Sequence, residues 1–280
     1  DGDEIAYYYD GTGRNELHLI DRESGTMTRL TDGEVPRDAS WYPRWAASGD
    51  RLFFHKDAAG DEQNDIYAVS LDGEVDLVAD PDGQAIVLDS TPSFLLYSSD
   101  AGEQLNLYRQ DLDAGDPIRL TDHDQPVRGA RIGPGGDRIA YVANESDTLE
   151  NRDLYVMAAD GSDRRRVPVG EDGSETGLGA WFSDGDRVLV SDDAEDLARV
   201  GVLDLADESV DWLGPHEHDE TAIAVAPNGE TVLATRHRHG ATVAVAYDVA
   251  SGEGRELALP GRSEGVVQFE LFPPGRVFAD

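Results

Sequence analysis

Few residues in this chain have the type and spacing for chemistry. Gly261-Arg262-Ser263-Glu264-Gly265 has the G-x-S-x-G spacing that sets a serine hydroxyl on a strained strand-to-helix turn. Such a serine needs an acid and a histidine later in the chain. The last histidine here is His239, and the VVQFELF that follows the motif alternates like a strand. Ser263 is therefore read as a loop residue, and no catalytic residue is assigned.

Two histidine pairs come next, His216-x-His218 with Asp219 and Glu220, and His237-x-His239. On a strand, residues i and i+2 share a face and with a third ligand could hold zinc. The first pair follows Gly214-Pro215 in a connection, and Arg236 and Arg238 would repel a cation from the second. Both read as solvated loop residues. The acidic runs Asp192-Asp193-Ala194-Glu195-Asp196 and Asp122-His123-Asp124 lack the spacing of an EF-hand-type calcium loop and read as surface. Trp41, Trp45, Trp181 and Trp212 stand at strand or strand-edge positions, where they are expected to pack between sheets. No metal and no cofactor site is assigned.

Charge narrows the partners. There are 58 acidic residues against 23 basic ones, a net charge of −35, and Lys56 is the only lysine. Nucleic acid is bound by cationic side chains that release counterions, so it is not expected as a partner. Arg164-Arg165-Arg166, the one basic cluster, reads as a solvated strand end. Self-repulsion at this charge is screened over about 10 Å at 0.1 M salt but over about 3 Å at 1 M. The acidic, lysine-poor surface thus suits a protein working in molar salt, and a salt-adapted cytosol is the expected location. There is no cysteine, hence no disulfide framework and no thiolate site. No apolar run approaches the roughly 18 residues of a membrane helix. The chain opens on Asp1-Gly2, so whether a signal peptide preceded it is left open.

These residues are positioned by a repeat. One series of turns opens each unit: DGDEIAY at Gly2, SGDRLFF at Gly49, GGDRIAY at Gly136, DGDRVLV at Gly185, NGETVLA at Gly229 and PPGRVFA at Gly275. A unit whose turn has become Thr91-Pro92-Ser93 fills the double step in this series. A second series, at Gly25, Gly73, Gly115, Gly161 and Gly252, has its gap near Ala206-Asp207. Both have a period of about 45 residues, the length of a four-stranded propeller blade.

The first blade is entered after its innermost strand, with Glu4–Tyr9, Leu17–Asp21 and Met27–Thr31. The second runs from Trp41 to Ala79 and the third from Ala85 to Thr121. The fourth holds Asp137–Ala143, Asp153–Ala159 and Arg164–Val169. The fifth holds Leu178–Phe182, Arg187–Ser191, Arg199–Leu205 and Val210–Leu213. The sixth holds Thr221–Ala226, Thr231–Thr235, Val243–Val249 and Arg255–Leu259. A seventh begins at Val266–Phe272 and turns at Gly275. Val266–Phe272 either closes a ring of six by completing the first blade, or begins the last blade of seven. The expectation is thus an all-β chain, a single β-propeller domain over 1–280 of six complete or nearly complete four-stranded antiparallel blades plus a partial seventh, with almost no helix.

DRIAYVANE, RDLYVMAADGSDRRRV and the twice-used RLTD (Arg29–Asp32, Arg119–Asp122) resemble the repeat of TolB-type propellers. They are similar also to the propeller that precedes the hydrolase domain in the prolyl oligopeptidase family. The lysine-poor composition resembles acylaminoacyl-peptidase-like members of haloarchaea. That resemblance implies the non-catalytic part of a serine peptidase, which caps the active site and admits short peptides through its tunnel or a side opening. The Ser-Asp-His would lie in a C-terminal α/β-hydrolase domain, its partner, so no catalytic residue carries over. The alternatives are a free-standing TolB-like protein-binding scaffold and a propeller enzyme with a metal or acid–base site in its tunnel.

Overall fold

A computed structural model describes residues 2–36, 42–57, 63–113, 115–127, 129–238 and 240–258. All regular structure among them is strand, and every strand pairs antiparallel with its neighbour in sequence. The first sheet has three strands, β1 (Glu4–Tyr9), β2 (Glu16–Asp21) and β3 (Met27–Arg29). The other five have four. The second contains β4 (Arg44–Trp45), β5 (Arg51–Asp57), β6 (Asn64–Ser70) and β7 (Val75–Ala79). The third contains β8 (Ala85–Ser90), β9 (Phe94–Ser99), β10 (Asn106–Asp111) and β11 (Ile118–Arg119). The fourth contains β12 (Gly129–Ile132), β13 (Arg138–Ala143), β14 (Asp153–Ala158) and β15 (Arg165–Val167). The fifth contains β16 (Gly177–Trp181), β17 (Arg187–Asp192), β18 (Arg199–Asp204) and β19 (Ser209–Trp212). The sixth contains β20 (Asp219–Val225), β21 (Thr231–Arg238), β22 (Ala241–Asp248) and β23 (Gly254–Glu256). The expected seventh begins beyond residue 258 and lies outside the described residues.

The chain forms two compact units, 1–122 and 123–280, with three of these sheets in each. In the first unit, strand alternation divides the second sheet between two cores. Leu52, Phe54 and Val69 pack with Leu17, Leu19 and Leu30 of the first sheet. Phe53, Ile66 and Ala68 pack with Val87, Leu95 and Tyr97 of the third. In the second unit the fifth sheet is divided likewise. Val188, Val190 and Leu203 meet Leu154 and Val156 of the fourth sheet, while Leu189, Val200 and Val202 meet Val232, Val243 and Val245 of the sixth. Sheets buried on both faces need continuous apolar strands, which is why RLFF and RVLV carry no polar residue between their apolar ones. Each fully buried side chain of this size contributes about 1.5–3 kcal/mol of transfer free energy.

The glycine series have one conformational cause. Gly2, Gly49, Gly136, Gly185 and Gly229 of the first series fall between φ 70° and 79°, a region that residues with a Cβ enter at a cost. Where the second series lacks its glycine, Glu208 holds the left-handed conformation at φ 57°. The Thr91-Pro92-Ser93 turn uses its side chain instead, the Thr91 hydroxyl accepting from the Ser93 and Phe94 N–H groups at 3.2 and 3.0 Å. Most strand limits agree with the repeat to within two residues. β21 extends to Arg238, past the Thr235 expected from composition, because it stays paired with β22 from Thr231↔Asp248 to Arg238↔Ala241. β12, a fourth strand on the fourth sheet, is short and carries Gly129 and Arg131, so composition does not mark it.

Candidate functional site

Several sheets place polar or aromatic groups at corresponding positions, and the residues there show what the repeat can do. The first use is a bracket within the sheet. The Thr31 hydroxyl accepts the Leu17 N–H at 2.9 Å and donates to Glu16 Oε2 at 2.7 Å. Thr121 repeats this with the Leu107 N–H at 2.9 Å and Asn106 Oδ1 at 2.8 Å. Arg29 pairs with Asp32 at 3.2 Å and Arg119 with Asp122 at 2.6 Å. The shared RLTD therefore ties the outermost strand to its neighbour; in the fourth sheet, where Pro168 replaces the threonine, Arg166 reaches Asp153 at 2.6 Å instead.

The second use is a cross-strand ring pair. Phe54↔Tyr67, Tyr97↔Tyr108 and Tyr141↔Tyr155 are opposite in register and stacked, with centroids 5.7, 5.6 and 5.3 Å apart. The first sheet has Tyr7↔His18 at this place, whereas the fifth and sixth have Val190↔Gly201 and Ala234↔Val245. At Gly201 a Cβ would stand 2.5 Å from Val210 Cγ1 and 2.7 Å from the Trp212 ring, so the fifth sheet fills the aromatic place with Trp212.

One group of titratable side chains surrounds His123. Its ring lies against Tyr141 and Tyr155 at 5.7 and 5.8 Å and is buried. This corrects the surface reading for His123, while Asp122 and Asp124 on either side of it are exposed as read. Nε2 is 3.2 Å from the Tyr141 hydroxyl and 3.4 Å from Arg164 Nη1. A guanidinium only donates, so Nε2 accepts and the ring proton sits on Nδ1, 3.0 Å from Glu145 Oε1. Glu145 accepts from the Tyr155 hydroxyl at 2.7 Å and lies 3.4 Å from Arg164. Burial pushes the Tyr141 phenol up to about 12 and raises Tyr155 as well, with the Glu145 bond adding to the second. Both stay neutral donors at ordinary pH. Tyr141 and Tyr155 are buried and Glu145 is partly exposed; the group fastens the Glu145 end of the loop between β13 and β14.

Two buried carboxylates are held the same way. Asp192, also read as surface, is buried and accepts from Thr176 Oγ1 at 2.7 Å, Ser174 Oγ at 3.0 Å and the Ala194 N–H at 2.9 Å. Glu220 accepts from Arg236 Nε at 2.7 Å and from the Tyr247 hydroxyl at 2.7 to 2.8 Å. Burial first, then the Glu220 bond, pushes the Tyr247 phenol up to about 12.

Among the described residues the remaining sequence candidates do not converge. Ser263, His239 and Trp41 lie outside the described residues. His216 and His218 stand in the connection between β19 and β20, as read. His237 is not in a loop but on β21, its Nδ1 3.0 Å from the Thr242 hydroxyl. Trp45 and Trp181 pack against cores between sheets, Trp181 donating to the Arg131 carbonyl at 3.1 Å. Arg164, Arg165 and Arg166 each meet acid, Arg165 reaching Glu208 at 2.5 Å. Among the described residues no three His, Asp or Glu side chains are grouped to hold a metal ion, and no helix is long and apolar enough to cross a membrane.

No protein-family model matches the chain. Solved structures do. The chain is similar to an oligogalacturonate lyase in complex with manganese, at 17% identity over 96% of this chain and 77% of that one, TM-score 0.73. It is similar to a puromycin hydrolase at 21% identity over 92% of this chain, TM-score 0.72. TolB from Acinetobacter baumannii matches at 16% identity over 90% of this chain and 63% of that one, TM-score 0.63. The chain has a β-propeller fold. It spans 46% of the puromycin hydrolase chain.

Proposed function

We propose that this chain is the non-catalytic propeller of a serine peptidase related to the prolyl oligopeptidases and acylaminoacyl-peptidases. In this reading 1–280 is one domain, an α/β-hydrolase domain follows it in the parent protein, and the propeller caps that active site and filters short peptides. The observation that carries the reading is asymmetric coverage: 92% of this chain matches, yet it accounts for 46% of the puromycin hydrolase. The buried polar groups support it too, since Glu16, Asp192 and Glu220 are engaged by partners within their own sheets. The acidic composition and single lysine support a parent working in a salt-adapted cytosol of the haloarchaeal type.

The test compares the purified chain with the same chain extended by the coding sequence after Asp280. Hydrolysis of a peptide-nitroanilide is expected from the extended protein alone. Hydrolysis by the chain itself, abolished in Ser263→Ala, would refute the reading, as would an extension without a strand, G-x-S-x-G, helix and later Asp and His. A second reading, a free-standing enzyme, draws on the lyase, of which this chain covers 77%. The described residues do not fit a metal ion, so no reaction step is derived through one. Manganese-dependent cleavage of an oligogalacturonate by the chain alone would favour that second reading.

A further inference from the structure

The loop between β17 and β18, residues 193–198, is tied to the connection between β19 and β20 through one imidazole. His216 Nε2 lies 2.7 Å from the Leu197 carbonyl oxygen, and His216 Nδ1 lies 3.2 Å from Glu195 Oε2. Both facing atoms can only accept. A neutral imidazole has one N–H and satisfies one of them, leaving a lone pair against the other; the imidazolium satisfies both. His123 shows the opposite arrangement, with a donor-only guanidinium on one nitrogen and a carboxylate on the other.

We propose that His216 is a proton-dependent latch: as imidazolium it holds the 193–198 loop by two donated hydrogen bonds, and on losing a proton it keeps one. The rest of the loop's fastening explains why the latch acts there. Its first half is fixed by Asp192 accepting the Ala194 N–H at 2.9 Å and by Asp193 accepting the Glu175 N–H at 2.6 Å. Its end is fixed by Asp219 accepting the Ala198 N–H at 3.2 Å and by the Glu220 N–H donating to the Ala198 carbonyl at 2.9 Å. Between these anchors Asp196 sits at φ 83°, a conformation costly for a residue with a Cβ. His216 is the side chain that bonds the intervening segment to the neighbouring connection. Among the described residues Glu195 is the one charged group at ion-pair distance from the ring; Glu217 and His218, on the same connection, make no hydrogen bond or ion pair with it.

The test is backbone hydrogen exchange of the full chain, read at residues 194–198 and corrected for intrinsic rates, across the pH range in which an imidazole titrates. An exposed ion pair of this kind is worth up to about 1 kcal/mol, so protection is expected to fall about two- to five-fold as His216 deprotonates. Glu195→Gln, which keeps a neutral acceptor, should flatten that dependence while leaving the loop protected at high pH. His216→Gln should remove it, and His237→Gln should leave it unchanged. A pH dependence of loop protection that survives in His216→Gln, or wild-type protection constant across the range, would overturn the latch.

Discussion

The Val87 N–H of the third sheet donates to Nε2 of His55 in the second at 3.0 Å, so this buried histidine joins adjacent sheets as an acceptor. Burial, with Arg44 adding to it, lowers the His55 pKa from 6.5 to about 3. Between those values the unfolded chain holds more protons than the folded one, so stability falls as pH falls through that window. The loss attributable to His55 is expected to reach about 3 kcal/mol near pH 4. Denaturant unfolding of wild type and His55→Gln at neutral pH and near pH 4 measures it; equal losses in both proteins would contradict the assignment.

Tyr247 supplies Glu220 with a hydroxyl donor inside the sixth sheet. Tyr247→Phe leaves the buried carboxylate to Arg236, and the unfolding free energy should drop by about 1–3 kcal/mol. Thermal or denaturant unfolding of the variant reads this directly.

Gly201 lies opposite Trp212 on β18 and β19. Gly201→Ala drives a methyl into Trp212 and Val210, so a loss of about 1–3 kcal/mol is expected. Adding Trp212→Leu should recover part of the loss by clearing the ring, which a double-mutant comparison would show.

Glu208 carries a left-handed backbone without being glycine. Glu208→Gly removes that strain and gives up the exposed Arg165 ion pair. A net gain of about 0.5–1 kcal/mol is expected, read as a raised unfolding midpoint. Gly161→Ala, at the matching turn of the fourth sheet, should move the midpoint the other way.

A net charge of −35 on a folded chain is repulsive in dilute buffer. The unfolding midpoint should rise steeply between about 0.1 M and about 3 M KCl as the screening length shortens. A midpoint flat across this range would remove the argument for salt adaptation.

Much of the fold was legible because its turns need a conformation that glycine supplies, and Gly2, Gly49, Gly136, Gly185 and Gly229 recur for that reason. Glu208 and Thr91 were silent because strain in one and a side-chain hydroxyl in the other do the same work without the marker. β12 was missed because a four-residue strand with an arginine and a glycine has no readable alternation. The reach of β21 to Arg238 was missed because backbone pairing with β22 continues under charged side chains. The surface reading of His123 and Asp192 failed for a different cause. Their partners, Arg164 and Ser174, are 41 and 18 residues away, and a polar residue gives no local sign that it will be satisfied at that range.

Thr31 and Thr121 act as carpentry, pegging an outer strand to the one inside it. Proteins that share the RLTD tetrapeptide therefore share a joint, and a joint is indifferent to the trade carried on in the house. Evolution can exchange the loops at the other ends of these strands while the pegs stay, so kinship read from the pegs reports construction and leaves occupation to be found by assay.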